Sequence, residues 1–249
     1  GQYRRGPRVE QLFLGVRIHG DRFGRSDLRI EAGVAWATVG PEMSFRAVIF
    51  DLGGVIIDSP LHAIARYEDE LSIPEGFVNR VVVDTGPDGA WSRLERGEVG
   101  MADFQRDFEA ECLAAGQRIS AARMFERIAE CGPRPRMLAA IQQLRASGRA
   151  VAALTNNWAI EGAPPNALQQ EFDVFVESSV VGLRKPDPRI YQLVCQELEI
   201  SPNEAVFLDD IGRNLKAART MGMHTIKVED PDVALAELSR VVGVIFDER

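Results

Sequence analysis

The stretch Arg46–Ser59, RAVIFDLGGVIIDS, decides how this chain is read. Ala47 to Phe50 is an apolar run too short for a helix. It stops at a carboxylate, Asp51, and Gly53 and Gly54 follow one residue later. A short β-branched and aromatic run bounded by glycine predicts a fully buried parallel strand whose last residue emerges at the carboxyl end. In open α/β sheets that edge is where ligands bind. An acid there, beside glycines whose bare N–H groups admit an anion, is a candidate nucleophile or metal ligand. Taken alone, the stretch is equally well explained by an aspartate capping a strand in a turn.

Downstream, residues 60 to about 132 carry helical periodicity and no strand pattern. Leu61, Ile64, Ala65 and Leu71 predict one helix, Phe104, Phe108, Cys112 and Leu113 a second, and Met124, Ile128 and Ala129 a third, with a break at Gly86, Pro87 and Gly89. Helix and strand then alternate. Strands are predicted at Ala150–Leu154, running into Thr155, and at Val174–Val176, Ala205–Leu208 and His224–Val228. Helices are predicted at Met137–Arg145, Pro188–Leu198 and Asn214–Met221, the last stopped by Gly222. Asp230 and Pro231 read as an N-cap and first helical residue. The fold class is therefore α/β: a three-layer, Rossmann-like parallel sheet with helices on both faces, interrupted after its first strand by a helical insert. The expected division is a core of residues 43–59 and 133–249 with an insert over 60–132. Residues 1–42, rich in arginine and glycine, are expected to be an extension without a chemical role, with alternation at Leu12–Ile18 and Leu28–Ala37 that allows a hairpin.

The composition narrows the partners. With 249 residues the chain can bury a large core, and a formal charge of -8 speaks against nucleic acid or an anionic membrane. Cys112, Cys131 and Cys195 lie far apart with no CxxC pair, which fits a reducing cytoplasm and neither a disulfide framework nor a zinc site. No run of eighteen apolar residues and no basic-then-apolar leader is present, so neither a membrane span nor a secretory signal is expected.

The predicted strands end on reactive side chains: Asp51, then Thr155, then the pair Asp209 and Asp210. Lys185 sits in the loop GLRKPDPR before a helix. Parallel strands bring their carboxyl ends to one edge, so these groups should converge. Three carboxylates in one crevice repel each other, and a hard divalent cation with oxygen ligands, such as Mg²⁺, relieves the repulsion. Lys185 adds a second positive charge, and Thr155 and the loop amides offer donors to phosphoryl oxygens. An ionised aspartate held there can attack phosphorus.

FDLGGVIID, LTNN, GLRKPDPRIY and FLDDIGRNLKAA, in this order, resemble the four motifs of the haloacid dehalogenase superfamily, and the helical insert resembles its cap. From Met43 onward, including WSRLERGE in the insert, the chain is similar to the amino-terminal phosphatase domain of soluble epoxide hydrolases. The resemblance implies Asp51 as nucleophile and Lys185 as the neutralising cation. It places Thr155, Asn156, Asn214 and the Gly53–Gly54 backbone at the phosphate, with Asp51, the Gly53 carbonyl, Asp210 and, in support, Asp209 at Mg²⁺. The substrate class it implies is a small phosphorylated molecule. Epoxide opening belongs to a separate domain of those proteins and is not expected of this stretch.

One departure matters. Phosphatases of this family carry a second aspartate two residues after the nucleophile, as general acid and base, and here that position is Gly53. General acid–base catalysis contributes roughly a hundred- to ten-thousand-fold, about 3 to 5 kcal/mol of barrier. Slow turnover, with water attack on the aspartyl-phosphate limiting, is the expectation. Asp58 and Glu95 are substitutes to weigh, against plain roles as solvated acids. Trp158 reads as a pocket wall, Trp91 as helix packing, and Arg93 with Glu95 as a surface ion pair. Two rivals stand beside the phosphatase: a 2-haloacid dehalogenase, which uses no metal and also lacks the second aspartate, and a module that binds phosphorylated ligands without turnover.

Overall fold

The computed structural model describes residues 45–159 and 166–246. The expected hairpin at the start of the chain and the extension over 1–42 lie outside the described residues. In chain order the elements are β1 (Ala47–Phe50), α1 (Pro60–Glu70), α2 (Phe77–Thr85), α3 (Ala90–Glu95), α4 (Met101–Ala114), α5 (Ala121–Ala129), α6 (Pro135–Ala146), β2 (Ala150–Thr155), β3 (Val174–Glu177), α7 (Ser178–Val181), α8 (Pro188–Glu197), β4 (Ala205–Asp209), α9 (Gly212–Thr220), β5 (His224–Lys227) and α10 (Pro231–Val242).

The five strands form one sheet in the order β3-β2-β1-β4-β5, every pair parallel. Successive strand side chains point to opposite faces. Val48 and Phe50 accordingly pack with Met137, Ile141 and Leu144 of α6 and Leu235 and Leu238 of α10. Ile49 packs the other way, with Ile190, Tyr191 and Val194 of α8 and Leu215 and Ala218 of α9. Each such side chain, fully withdrawn from water, contributes about 1.5–3 kcal/mol, so both faces of β1 are anchored and its register cannot slip. Asp230 caps α10 as expected, its side chain accepting from the backbone N–H of Asp232 and Val233.

From β1 the chain winds outward to β2 and β3, then returns to lay β4 on the other side of β1. The order reverses between β1 and β4, and a crevice opens at their carboxyl ends. Asp51 follows the end of β1, and Asp209 and Asp210 stand at the end of β4.

Helices α1 to α5 share a core of their own, built on Tyr67, Phe77, Trp91, Leu94, Phe104, Phe108 and Met124. The expected helices α1, α4 and α5 are present, although their buried faces exclude Leu61 and Leu113, which are exposed. Sequence reasoning did not foresee α2 and α3. The first is rich in β-branched valine, which disfavours helix, and the second is too short to show a period. Their ends are also capped from afar: Glu68 accepts from the Gly76 and Val78 N–H groups at 2.7 and 2.8 Å, and Glu111 from the Ala90 N–H at 2.8 Å. Those acids satisfy the free donors of each first turn, so no local capping residue marks the start.

Candidate active site

Asp51 is nearly buried, and its Oδ1 accepts the Leu52 N–H at 2.7 Å and lies 2.9 Å from Lys185 Nζ. Lys185 is itself wholly enclosed. Its ammonium reaches from the loop before α8, over the Phe207 ring, to donate to Asp209 Oδ2 at 2.8 Å. Asp209 is saturated, because Oδ1 also accepts from the Ile211 N–H at 2.7 Å and both oxygens face Asn214 Nδ2 at 3.2 and 3.1 Å. It therefore orients Lys185 and Asn214. Asp210 is freer, with a long contact from Ser59 Oγ at 3.5 Å.

Gly54 makes room for this arrangement. At φ 74° it adopts a backbone that favours glycine, and a β-carbon there would overlap the Asp210 carboxylate. The GG pair noted in the sequence thus lets β1 and β4 deliver their acids to one point. Gly53 is different: its φ is ordinary, and a β-carbon would stand 3.2 Å from the Pro60 ring.

Ligand oxygens of Asp51, Asp209 and Asp210 all lie within 4.8 Å of one another. Three carboxylates around one ammonium leave an excess of negative charge in a dry place. Burial, opposed by Lys185 and reinforced by Asp209 and Asp210, pushes the Asp51 carboxyl from 3.8 up to about 8. Burial, with Asp209 next to it, raises Asp210 to about 6. The Asp209 and Asp51 carboxylates outweigh burial at Lys185 and hold its ammonium above the usual lysine range. Oxygen-only donors with surplus charge suit a hard divalent cation. Asn214 Oδ1, buried without a partner among the described residues, adds an acceptor to the same wall.

Asp51, Gly53, Asn156, Lys185, Asp210 and Asn214 all line one cavity of about 120 Å³. Its remaining wall combines apolar side chains, Leu61, Ile64, Val78, Val82, Trp91, Trp158 and Ile211 among them, with the polar Asn79 and the charged Glu95, Arg184 and Arg213. Thr155 stands apart from this cavity: it is buried at the end of β2 and lines a neighbouring recess with Gly53, Asn156 and Trp158. Asn156 is engaged with the lysine's own backbone, accepting from the Lys185 N–H at 2.8 Å and donating to its carbonyl at 3.1 Å.

Trp158 walls the cavity as expected, and it packs edge-on against Trp91 and Phe125. The reading of Arg93 and Glu95 as one surface pair is corrected: Arg93 faces Asp107, whereas Glu95 is buried and pairs with Arg184. Asp58 is exposed beside Arg134, and Glu95 spends both oxygens on other donors, so neither stands ready as a substitute base. Arg184 carries no signal of its own in the sequence, where it stands only as the residue before Lys185.

The haloacid dehalogenase-like hydrolase family matches residues 45–222. The chain belongs to this family. It is 38% identical over 221 residues to acyl-CoA dehydrogenase family member 10 of Mus musculus, covering 86% of this chain and 21% of that protein. It is 36% identical over 219 residues to bifunctional epoxide hydrolase 2 of Sus scrofa, covering 81% of this chain and 40% of that protein. The chain thus spans well under half the length of these relatives. Relatives of lower identity carry both phosphatase and 2-haloacid dehalogenase names. A HAD family enzyme of Bacteroides thetaiotaomicron, solved with magnesium and inorganic phosphate, superposes with a TM-score of 0.55 at 22% identity, covering 75% of this chain and 96% of that one. At that identity it speaks for the fold.

Proposed function

We propose that this hydrolase is a Mg²⁺-dependent phosphatase acting on a small phosphate ester, with Asp51 as nucleophile and α1 to α5 as a cap over it. The observation that carries the reading is the meeting of Asp51, Asp209 and Asp210 within one cation's reach around a buried lysine. A metal-free dehalogenase would have no use for that surplus of carboxylates. Asp51, Asp210 and the Gly53 carbonyl would hold Mg²⁺, whose role is to neutralise charge on the phosphoryl group. Lys185 keeps the Asp51 carboxylate oriented and offsets the charge that develops as it attacks phosphorus. As the bond from Asp51 to phosphorus forms, the bond from phosphorus to the ester oxygen breaks, the alkoxide leaves and takes its proton from solvent, and Asp51 carries the phosphoryl group as an acyl phosphate. Asn214, in the wall of the cavity with Asp51, and the Gly53–Gly54 backbone would bind the phosphoryl oxygens, while Thr155 opens on the neighbouring recess that Gly53 also lines. Water then attacks the phosphorus, the bond to Asp51 breaks, and phosphate leaves; glycine at position 53 supplies no carboxylate to take that water's proton, and among the described residues Asp58 and Glu95 are engaged elsewhere. The apolar side chains of the wall fit an apolar segment of a small alcohol portion, beside the charged Glu95, Arg184 and Arg213 that line the same cavity. The scarcity and spacing of cysteines suit a reducing compartment.

A Mg²⁺-dependent screen of phosphate esters, run beside Asp51→Asn, tests the assignment. Turnover in the parent and none in the variant is expected. A rapid-quench experiment with an aryl phosphate should give a burst near one equivalent, and fast steady turnover without a burst rejects the slow second step. Chloride release from 2-haloacids that chelator does not inhibit would replace the phosphatase with a dehalogenase.

A further inference from the structure

The junction between the helical insert and the sheet carries a second charged device. We propose that Glu95 and Arg184 form a clasp that holds the insert closed over Asp51 and, through Asn156, sets the position of Lys185. Both are positioning residues. Glu95 ends α3 on the insert, and its Oε1 accepts from the Trp91 indole N–H at 2.9 Å. Its Oε2 accepts from Arg184 Nε at 2.6 Å and from Asn156 Nδ2 at 3.4 Å, both residues belonging to the sheet side. Arg184 Nη1 reaches back to Ser92 Oγ on α3 at 2.8 Å. Glu95, Arg184, Asn156 and Trp91 all line the cavity that contains Asp51.

Two features give this cluster a role beyond stability. A buried ion pair has to repay the desolvation of both charges, so its net contribution to stability is small; what it supplies is a defined geometry. This geometry leads to the nucleophile, because Asn156 links Glu95 to both backbone groups of Lys185, whose ammonium holds Asp51. The same end of α3 also meets the sheet side through bare backbone: a β-carbon on Gly97 would overlap the Ser179 carbonyl. The end of α3 thus joins the sheet side through polar and backbone contacts, beside the packing of Trp158 on Trp91 and Phe125, and breaking the polar contact loosens both the wall of the cavity and the lysine loop.

The kinetic consequence rests on the phosphatase reading, but the closure itself does not. The test uses the full chain with Glu95→Gln, Arg184→Gln, the double variant, and Ser92→Ala as a milder change, each followed by amide hydrogen exchange and by kinetics with an aryl phosphate. Each Gln single leaves one buried charge without its partner, so exchange over 92–98 and 178–186 is expected to rise about tenfold or more while β1 and β4 stay protected. Ser92→Ala should raise exchange in the same segments by a smaller factor. The double variant, with no unpaired charge, should exchange more slowly than either single. In the kinetics, kcat should fall about tenfold in each Gln single with a smaller change in KM, because the lysine loop is displaced. Unchanged exchange in both segments overturns the clasp. A rise spread evenly through the sheet also overturns it, since that would make the pair a general stability element. If the parent cleaves no phosphate ester, the phosphatase reading fails while the exchange pattern still judges the clasp.

Discussion

Replacing Lys185 by methionine removes an ammonium and little else, because the buried stem is matched in length. In the parent that ammonium lies 2.9 Å from Asp51 and 2.8 Å from Asp209, with no exposure of its side chain to water. Without it, the folded variant must take up one further proton to restore the charge of the carboxylate cluster. A carboxyl that titrates near 3.9 when unfolded costs about 1.4 kcal/mol per pH unit to keep neutral above that value, hence about 4 kcal/mol at pH 7. Breaking a buried pair by deleting one partner typically costs about 3–5 kcal/mol, which agrees. The sign follows from the raised folded pKa: stability is fully present below the unfolded value and is lost as pH climbs. The deficit relative to the parent should therefore shrink to about 1.5 kcal/mol at pH 5. Urea unfolding followed by circular dichroism, in chelator, from pH 5 to pH 8, measures it. A variant within about 1 kcal/mol of the parent at pH 7, or a deficit equal at pH 5 and pH 7, would refute the reasoning.

Three further outcomes are expected. Gly54→Ala should lose about 1–2 kcal/mol to its left-handed backbone and bind Mg²⁺ far more weakly, since the new methyl displaces Asp210; calorimetric titration that finds parental Mg²⁺ affinity would contradict this. For the metal-free parent, Asp210 raised to about 6 and Asp51 to about 8 mean that stability declines as pH rises from about 4 through these values, and millimolar Mg²⁺ should flatten the slope. Melting temperatures that rise between pH 5 and pH 8 in chelator would oppose it. Asp209→Asn should cost about 1.5–3 kcal/mol of stability through its bond to Lys185 yet weaken Mg²⁺ less than Asp210→Asn does, and equal losses of affinity would make Asp209 a direct ligand.

The sequence by itself determined the architecture and which polar groups are sent to the edge of the sheet. Ala47–Phe50, Ala150–Leu154 and Ala205–Leu208 are apolar runs too short for helices, and parallel pairing sends the polar residues that follow them to one rim, so Asp51, Asp209 and Asp210, with Lys185 from a loop, could be brought together on paper. Tertiary structure alone decided how they divide the work. Asp209 and Asp210 are neighbours of identical type, but alternate residues leave a strand end in opposite directions, so one is saturated by Lys185, Ile211 and Asn214 while the other stays open. Helices α2 and α3 and the pairing of Glu95 with Arg184 were equally invisible, because the groups that cap or neutralise them lie 8 to 89 residues away along the chain. Local pattern records the period of an element and the chemistry of its ends; which distant partner satisfies a buried charge is settled only when the chain has packed.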